Sequence, residues 1–68
     1  MTIQSIHRAL DILEFVERSK GPVPLVDIAK ATSLHVSTCH HLLKTLKDRG
    51  YVRQLKSHGA YLPKEAKL

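Results

Sequence analysis

Glycine and proline constrain this chain more than any other feature. Gly21-Pro22 and Pro24 stand early, Gly50 closes a long helix-compatible run, and Gly59 and Pro63 bracket the last segment. Proline lacks an amide donor and disfavours helical geometry in the residue before it, while glycine accepts the left-handed backbone that ends helices. No helix can therefore run through 21–24 or past 50. The 68 residues must fold as several short elements around one small core.

Three segments between these breaks carry helical periodicity. Ile6, Ala9, Leu10, Leu13 and Val16 recur at helical spacing, which predicts a helix over 6–19 with Ser5 as its cap and that stripe facing the core. Leu25, Ile28, Ala29 and Thr32 predict a second helix over 25–31, with Pro24 in its first turn, where the missing donor is harmless. Thr32-Ser33-Leu34 is then a tight turn, with serine where a positive φ favours glycine. A third helix starts at Val36 or Ser37, reaches Arg49 and stops at Gly50. At about 100° per residue, its Cys39, Leu42, Leu43 and Leu46 fall within a narrow arc, and Ser37, His41, Lys44 and Asp48 point the opposite way. His40 and Lys47 lie on one flank, Thr38 and Thr45 on the other.

After Gly50 the pattern becomes strand-like. Tyr51 to Leu55 reads as a strand, Lys56-Ser57-His58-Gly59 as a turn and Ala60-Tyr61-Leu62 as a return strand closed by Pro63. Tyr51 and Tyr61 are expected to pack this sheet onto the helices, since a lone hairpin is unstable in water. Lys64 to Leu68 reads as the start of another helix. The expected fold class is mainly α with a small β-hairpin: a winged helix-turn-helix of three helices plus a two-stranded wing. It forms one domain over 1–68, with 63–68 beginning a linker.

The formal charge of +5 is unevenly placed. Residues 1–29 hold three basic and four acidic side chains, whereas residues 30–68 hold eight and two. A basic half on a small domain points to a polyanion. The single cysteine, Cys39, excludes an internal disulfide. Without a long apolar run or a secretory leader at Met1-Thr2-Ile3-Gln4, the expectation is a cytoplasmic protein with no membrane partner. No Ser/His/Asp order, paired carboxylates or phosphate-cradling glycine loop is present, which argues against an enzyme and against a cofactor. Cys39-His40-His41 invites a metal reading, but adjacent residues on a helix diverge. Only His35 and Cys39 have i, i+4 spacing, and two ligands do not close a zinc site. No metal is expected, and Cys39 reads as a small core residue.

Two short helices joined by a tight turn and followed by a basic hairpin suit duplex DNA. The third helix buries its leucines and offers its polar face to the major groove. Ser37 and Thr38, at its start, either donate to phosphate or bases or cap their own helix. His40, His41 and Lys44 form the exposed face, and Lys47 is better placed for phosphate. Arg53, Lys56 and His58 sit on the wing, toward the adjacent backbone or minor groove. The alternative is a protein–protein interaction module, which the lack of apolar anchors on that face disfavours. Ile12 and Phe15 fall away from the first helix's main stripe. They are either a second buried side or the contact of a homodimer.

Three stretches in this order resemble the N-terminal DNA-binding domain of IclR-type transcriptional regulators. They are Ser5-Ile6-His7-Arg8-Ala9-Leu10-Asp11-Ile12-Leu13-Glu14, Leu25-Val26-Asp27-Ile28-Ala29-Lys30-Ala31-Thr32-Ser33-Leu34, and Ser37-Thr38-Cys39-His40-His41-Leu42-Leu43-Lys44-Thr45-Leu46 running on to Gly50-Tyr51-Val52. The resemblance implies a dimeric parent protein whose C-terminal domain, absent from this chain, binds a small-molecule effector. It also marks departures. Family members often carry glycine at the position of Ser33 and usually arginine at that of His41, and the ending Gly59-Ala60-Tyr61-Leu62-Pro63 differs from theirs. Arginine can pair bidentately with guanine, which histidine does less well.

Overall fold

The computed structural model describes residues 2–56 and 59–65. Helices α1 (Gln4–Arg18), α2 (Leu25–Thr32) and α3 (Val36–Asp48) precede strands β1 (Val52–Gln54) and β2 (Tyr61–Pro63). The breaks fall where glycine and proline place them. Two details at the ends of α1 differ from expectation or add to it. The helix begins earlier than its periodicity predicts, so Ser5 lies inside the first turn. Ile3 holds the capping position without a side-chain bond, its carbonyl accepting from the amides of Ile6 and His7. At the other end the Ser19 hydroxyl donates to the Phe15 carbonyl at 2.8 Å and closes the helix.

The buried face of α1 is rotated from the expected stripe. Ile12 and Val16 are fully buried, whereas Ile6 and Leu10 are about half exposed. At 100° per residue, the apolar side chains from Phe15 round to Leu10 span an arc of roughly 220°, with Ile12, Val16 and Ala9 in its middle. Density of apolar residues picks one edge of such an arc. Packing on α2, α3 and the sheet buries the middle instead.

Helices α2 and α3 end in the same way on different residues. After α2 the Leu34 amide donates to Ala29 O at 2.9 Å and the Ser33 amide to Lys30 O at 3.3 Å. After α3 the Tyr51 amide donates to Leu46 O at 2.8 Å and the Gly50 amide to Lys47 O at 3.0 Å. Both are Schellman closures, which need a left-handed residue. Gly50 takes φ 82 without a side chain, whereas Ser33 takes φ 58 with one. A side chain in that region costs about 1 kcal/mol, partly offset by the extra chain entropy of glycine. Ser33→Gly is therefore expected to raise the unfolding free energy by about 0.5–1 kcal/mol, read as a higher urea midpoint at unchanged slope. A lower midpoint would contradict this account of the turn.

The two strands pair antiparallel with Val52 opposite Pro63, Arg53 opposite Leu62 and Gln54 opposite Tyr61. Pro63 thus lies within β2 rather than beyond it; at the edge of a two-stranded sheet its missing donor is tolerated. Val23, expected as loop, adds a third edge by exchanging both backbone bonds with Tyr61 at 2.9 and 2.8 Å. This rung holds the breaker-rich segment between α1 and α2 against the hairpin. The core draws on all three helices and both strands: Ile12, Val16, Val23, Ile28, Ala29, Cys39, Leu43, Val52 and Tyr61. The tyrosines divide. Tyr61 is buried, but Tyr51 is about half exposed, contrary to expectation, with the Lys64 ammonium 5.4 Å above its ring. Tyr51 follows the turn that stops α3 and precedes the first paired residue, so no sheet position draws it inward. Of the expected C-terminal helix, Lys64 and Glu65 form a turn, and 66–68 lie outside the described residues.

Candidate nucleic-acid interface

The rest of the domain grips α3 from one side. Cys39 and Leu43 have no exposed surface, and Leu42 and Leu46 pack beside them. Burial pushes the Cys39 thiol up to about 11, so it stays protonated and acts as an apolar filler. The Tyr61 hydroxyl is raised too, first by burial and then by Cys39, while a hydrogen bond from the Gln54 side chain opposes the rise. With one side committed to the core, geometry leaves the other in solvent: Ser37, His40, His41, Lys44 and Lys47 are all exposed. Thr38 is half-buried on the flank.

Neither Ser37 nor Thr38 caps α3. His35 holds the capping position in extended backbone without a side-chain bond, and its carbonyl accepts from the Cys39 amide at 2.9 Å. The first turn therefore carries no side-chain cap on its amides, and the positive end of the helix dipole lies beside Ser37.

The charged residues of this face differ in their partners. Lys44 pairs with Asp48 at 3.0 Å, with side chains 65% and 56% exposed. A pair that open to water contributes only a few tenths of a kcal/mol and yields readily to a phosphate. Lys47 donates instead to the neutral Gln54 Oε1 at 2.7 Å, and Gln54 Nε2 donates to the Gly59 carbonyl at 2.9 Å. The His40 and His41 rings meet edge-on at 6.0 Å. His40 also lines a cleft with Pro24, Val26, Gln54, Gly59 and Ala60, between the start of α2, the flank of α3 and the hairpin.

On the wing, Arg53 is exposed on β1 and Lys56 is exposed just after it. His58 lies outside the described residues. The hairpin approaches α3 through Gln54, a residue that, like Val26, the motif pattern does not single out. A signal for Gln54 does exist: strand alternation puts it on the same side as buried Val52.

Ile12 is corrected as a dimer contact. It has no exposed surface, so it offers nothing to a second copy, and Phe15 is half-buried against the same core. The exposed apolar edge of α1 is Ile6 and Leu10, continued by Ile3 just before the helix. Ile6 and Leu10 join Leu13, Leu42, Leu46 and Tyr51 in a shallow apolar groove between α1 and α3.

Known proteins share this arrangement. Residues 5–56 match the IclR helix-turn-helix domain. The chain is 40% identical over 57 residues to the transcriptional repressor IclR of Escherichia coli K12, covering 84% of this chain and 21% of that protein. It is 42% identical over 59 residues to the HTH-type transcriptional regulator XynR of the same organism, covering 87% and 23%. Among solved structures, an IclR family transcriptional regulator from Brucella abortus superposes with a TM-score of 0.84 at 27% identity, covering 93% of this chain and 24% of that one. The IclR protein of Thermotoga maritima superposes at 0.79 with 26% identity, covering 91% and 25%. The chain thus spans about a fifth to a quarter of the length of these relatives. By sequence and by fold over most of its length, it belongs to the IclR helix-turn-helix domain family.

Proposed function

We propose that this domain binds double-stranded DNA in a sequence-specific way as the reading head of a transcription regulator, with α3 in the major groove and the hairpin on the adjacent backbone or minor groove. One observation carries the reading. Ser37, His40, His41, Lys44 and Lys47 share the exposed side of a helix whose opposite side is locked by Cys39 and Leu43. A rigid rod with hydroxyl, imidazole and ammonium groups fits base edges and phosphates. A protein-docking surface would concentrate aromatic or other large apolar anchors, and between Ser37 and Lys47 the outward face has none.

The test is duplex binding as a function of salt. Lys44, Lys47, Arg53 and Lys56 are the candidate phosphate partners. Each pairing releases counterion with a slope near 0.9, so affinity is expected to fall about 100-fold between 50 and 200 mM salt. Fluorescence anisotropy with a labelled duplex reads this directly, and a flat response would overturn the phosphate contacts.

The parent protein, in this reading, is a cytoplasmic homodimer and not an enzyme. It sets two α3 helices in successive major grooves about one helical turn apart, with effector binding in a separate C-terminal domain. The relatives' names as repressors and regulators support this, as does the apolar edge at Ile6 and Leu10 as a site for self-association. Leu10→Glu in the parent is expected to weaken self-association at least 10-fold by analytical ultracentrifugation while leaving the helical signal intact, because Leu10 is half exposed in the lone domain. Unchanged sedimentation would move the dimer contact elsewhere.

A further inference from the structure

We propose that Gln54 is a positioning residue for DNA binding, a neutral clamp that aims the Lys47 ammonium and ties the wing to α3. The proposal rests on the DNA-binding reading above. Three elements meet at one side-chain amide: its Oε1 accepts from Lys47 Nζ of α3 at 2.7 Å, and its Nε2 donates to the carbonyl of Gly59 in the hairpin turn at 2.9 Å. Gln54 is half-buried while Lys47 is exposed, so the amide is the more fixed partner.

Gly59 is held close against Lys56. The Gly59 amide donates to Lys56 O at 2.9 Å, and a Cβ on Gly59 would lie 2.9 Å from the Lys56 backbone nitrogen. The Gly59 carbonyl is therefore held by backbone, and through Gln54 it fixes the wing relative to the groove-facing helix.

The chemistry of the clamp decides its use. Lys44 is paired with a carboxylate, which a phosphate must displace. Lys47 is paired with an amide, so it keeps its full charge and still has donors for a phosphate oxygen. An ammonium held in place but not neutralised loses less freedom on meeting the backbone than one on an untethered four-carbon stem.

Two variants and a cycle test this on the 68-residue chain, with duplex affinity measured across salt. Gln54→Leu removes both bonds, together with the one to the Tyr61 hydroxyl, and leaves the Lys47 charge. It is expected to weaken binding about 10-fold in the unaltered background and less than 2-fold in the Lys47→Met background. Gln54→Glu keeps an acceptor for Lys47 but cancels its charge, and is expected to lower the salt slope by about 0.9. Thermal melts of each variant separate a folding defect from a binding defect. NMR of the isolated domain without DNA adds a readout independent of function: Lys47→Met is expected to shift the Gln54 side-chain amide resonances. Equal losses from Gln54→Leu in both backgrounds, an unchanged slope for Gln54→Glu, or unmoved amide resonances would each overturn the clamp while leaving DNA binding intact. Absence of salt-dependent duplex binding by the unaltered protein would instead remove the DNA-binding reading itself, and the clamp's role with it.

Discussion

Leu43→Ala is expected to lower the unfolding free energy by about 2–5 kcal/mol and to bring the domain near or past its folding midpoint at room temperature. Leu43 has no exposed surface and lies in the same cluster as Ile12, Val16, Ile28, Cys39, Val52 and Tyr61. Truncation removes its transfer free energy and leaves a cavity whose walls come from several different elements, so collapse around it is limited. A chain of 68 residues has few other buried side chains to compensate. At about 0.05–0.15 kcal/mol per residue, its total stability is of the same order as the loss. Urea denaturation followed by circular dichroism measures this, and DNA affinity should fall in parallel because the rod loses its backing. A cost below about 1 kcal/mol would show that Leu43 does not anchor α3.

The second large effect falls on binding and spares the fold. The double variant His41→Glu with Lys44→Glu is expected to reduce duplex affinity at least about 100-fold. Both residues are exposed on the face of α3 turned away from the core. Each substitution removes a candidate donor and sets a carboxylate against phosphate. Stability should change by less than about 1 kcal/mol, because the ion pair that is broken is the exposed one between Lys44 and Asp48. The carboxylate introduced in place of the lysine would face Asp48 at i, i+4 and cost a few tenths of a kcal/mol. Anisotropy titration beside a thermal melt distinguishes the two quantities. Retained affinity would mean that α3 does not enter the groove. Together the two experiments separate what holds the helix from what the helix presents.

Much of this is legible in the sequence, and the differences have definite causes. The orientation of α3 follows from its apolar set, because Cys39, Leu42, Leu43 and Leu46 occupy one narrow arc and leave a single way to face the core. Its end at Gly50 follows from a positive φ that glycine meets without strain. The rotation of α1 does not follow from periodicity, because apolar residues cover too much of its circumference for spacing to choose a side. That ambiguity leaves Ile12 open between a second buried side and a contact with a second molecule, and burial puts it at the centre of the first. Gln54 escapes notice because its bonds to Lys47 and Gly59 link three local segments, and nothing within one segment reveals them.

Breakers, periodicity and charge placement thus set the order of elements, the outward face of α3 and the basic half of the domain, all consequences of local geometry read along the chain. Packing alone decided which side of α1 enters the core, that Val23 joins the hairpin, and that Lys47 leans on the wing. Those outcomes depend on which surfaces meet when five short elements compete for one small interior, a competition settled by shape and burial between residues distant in sequence.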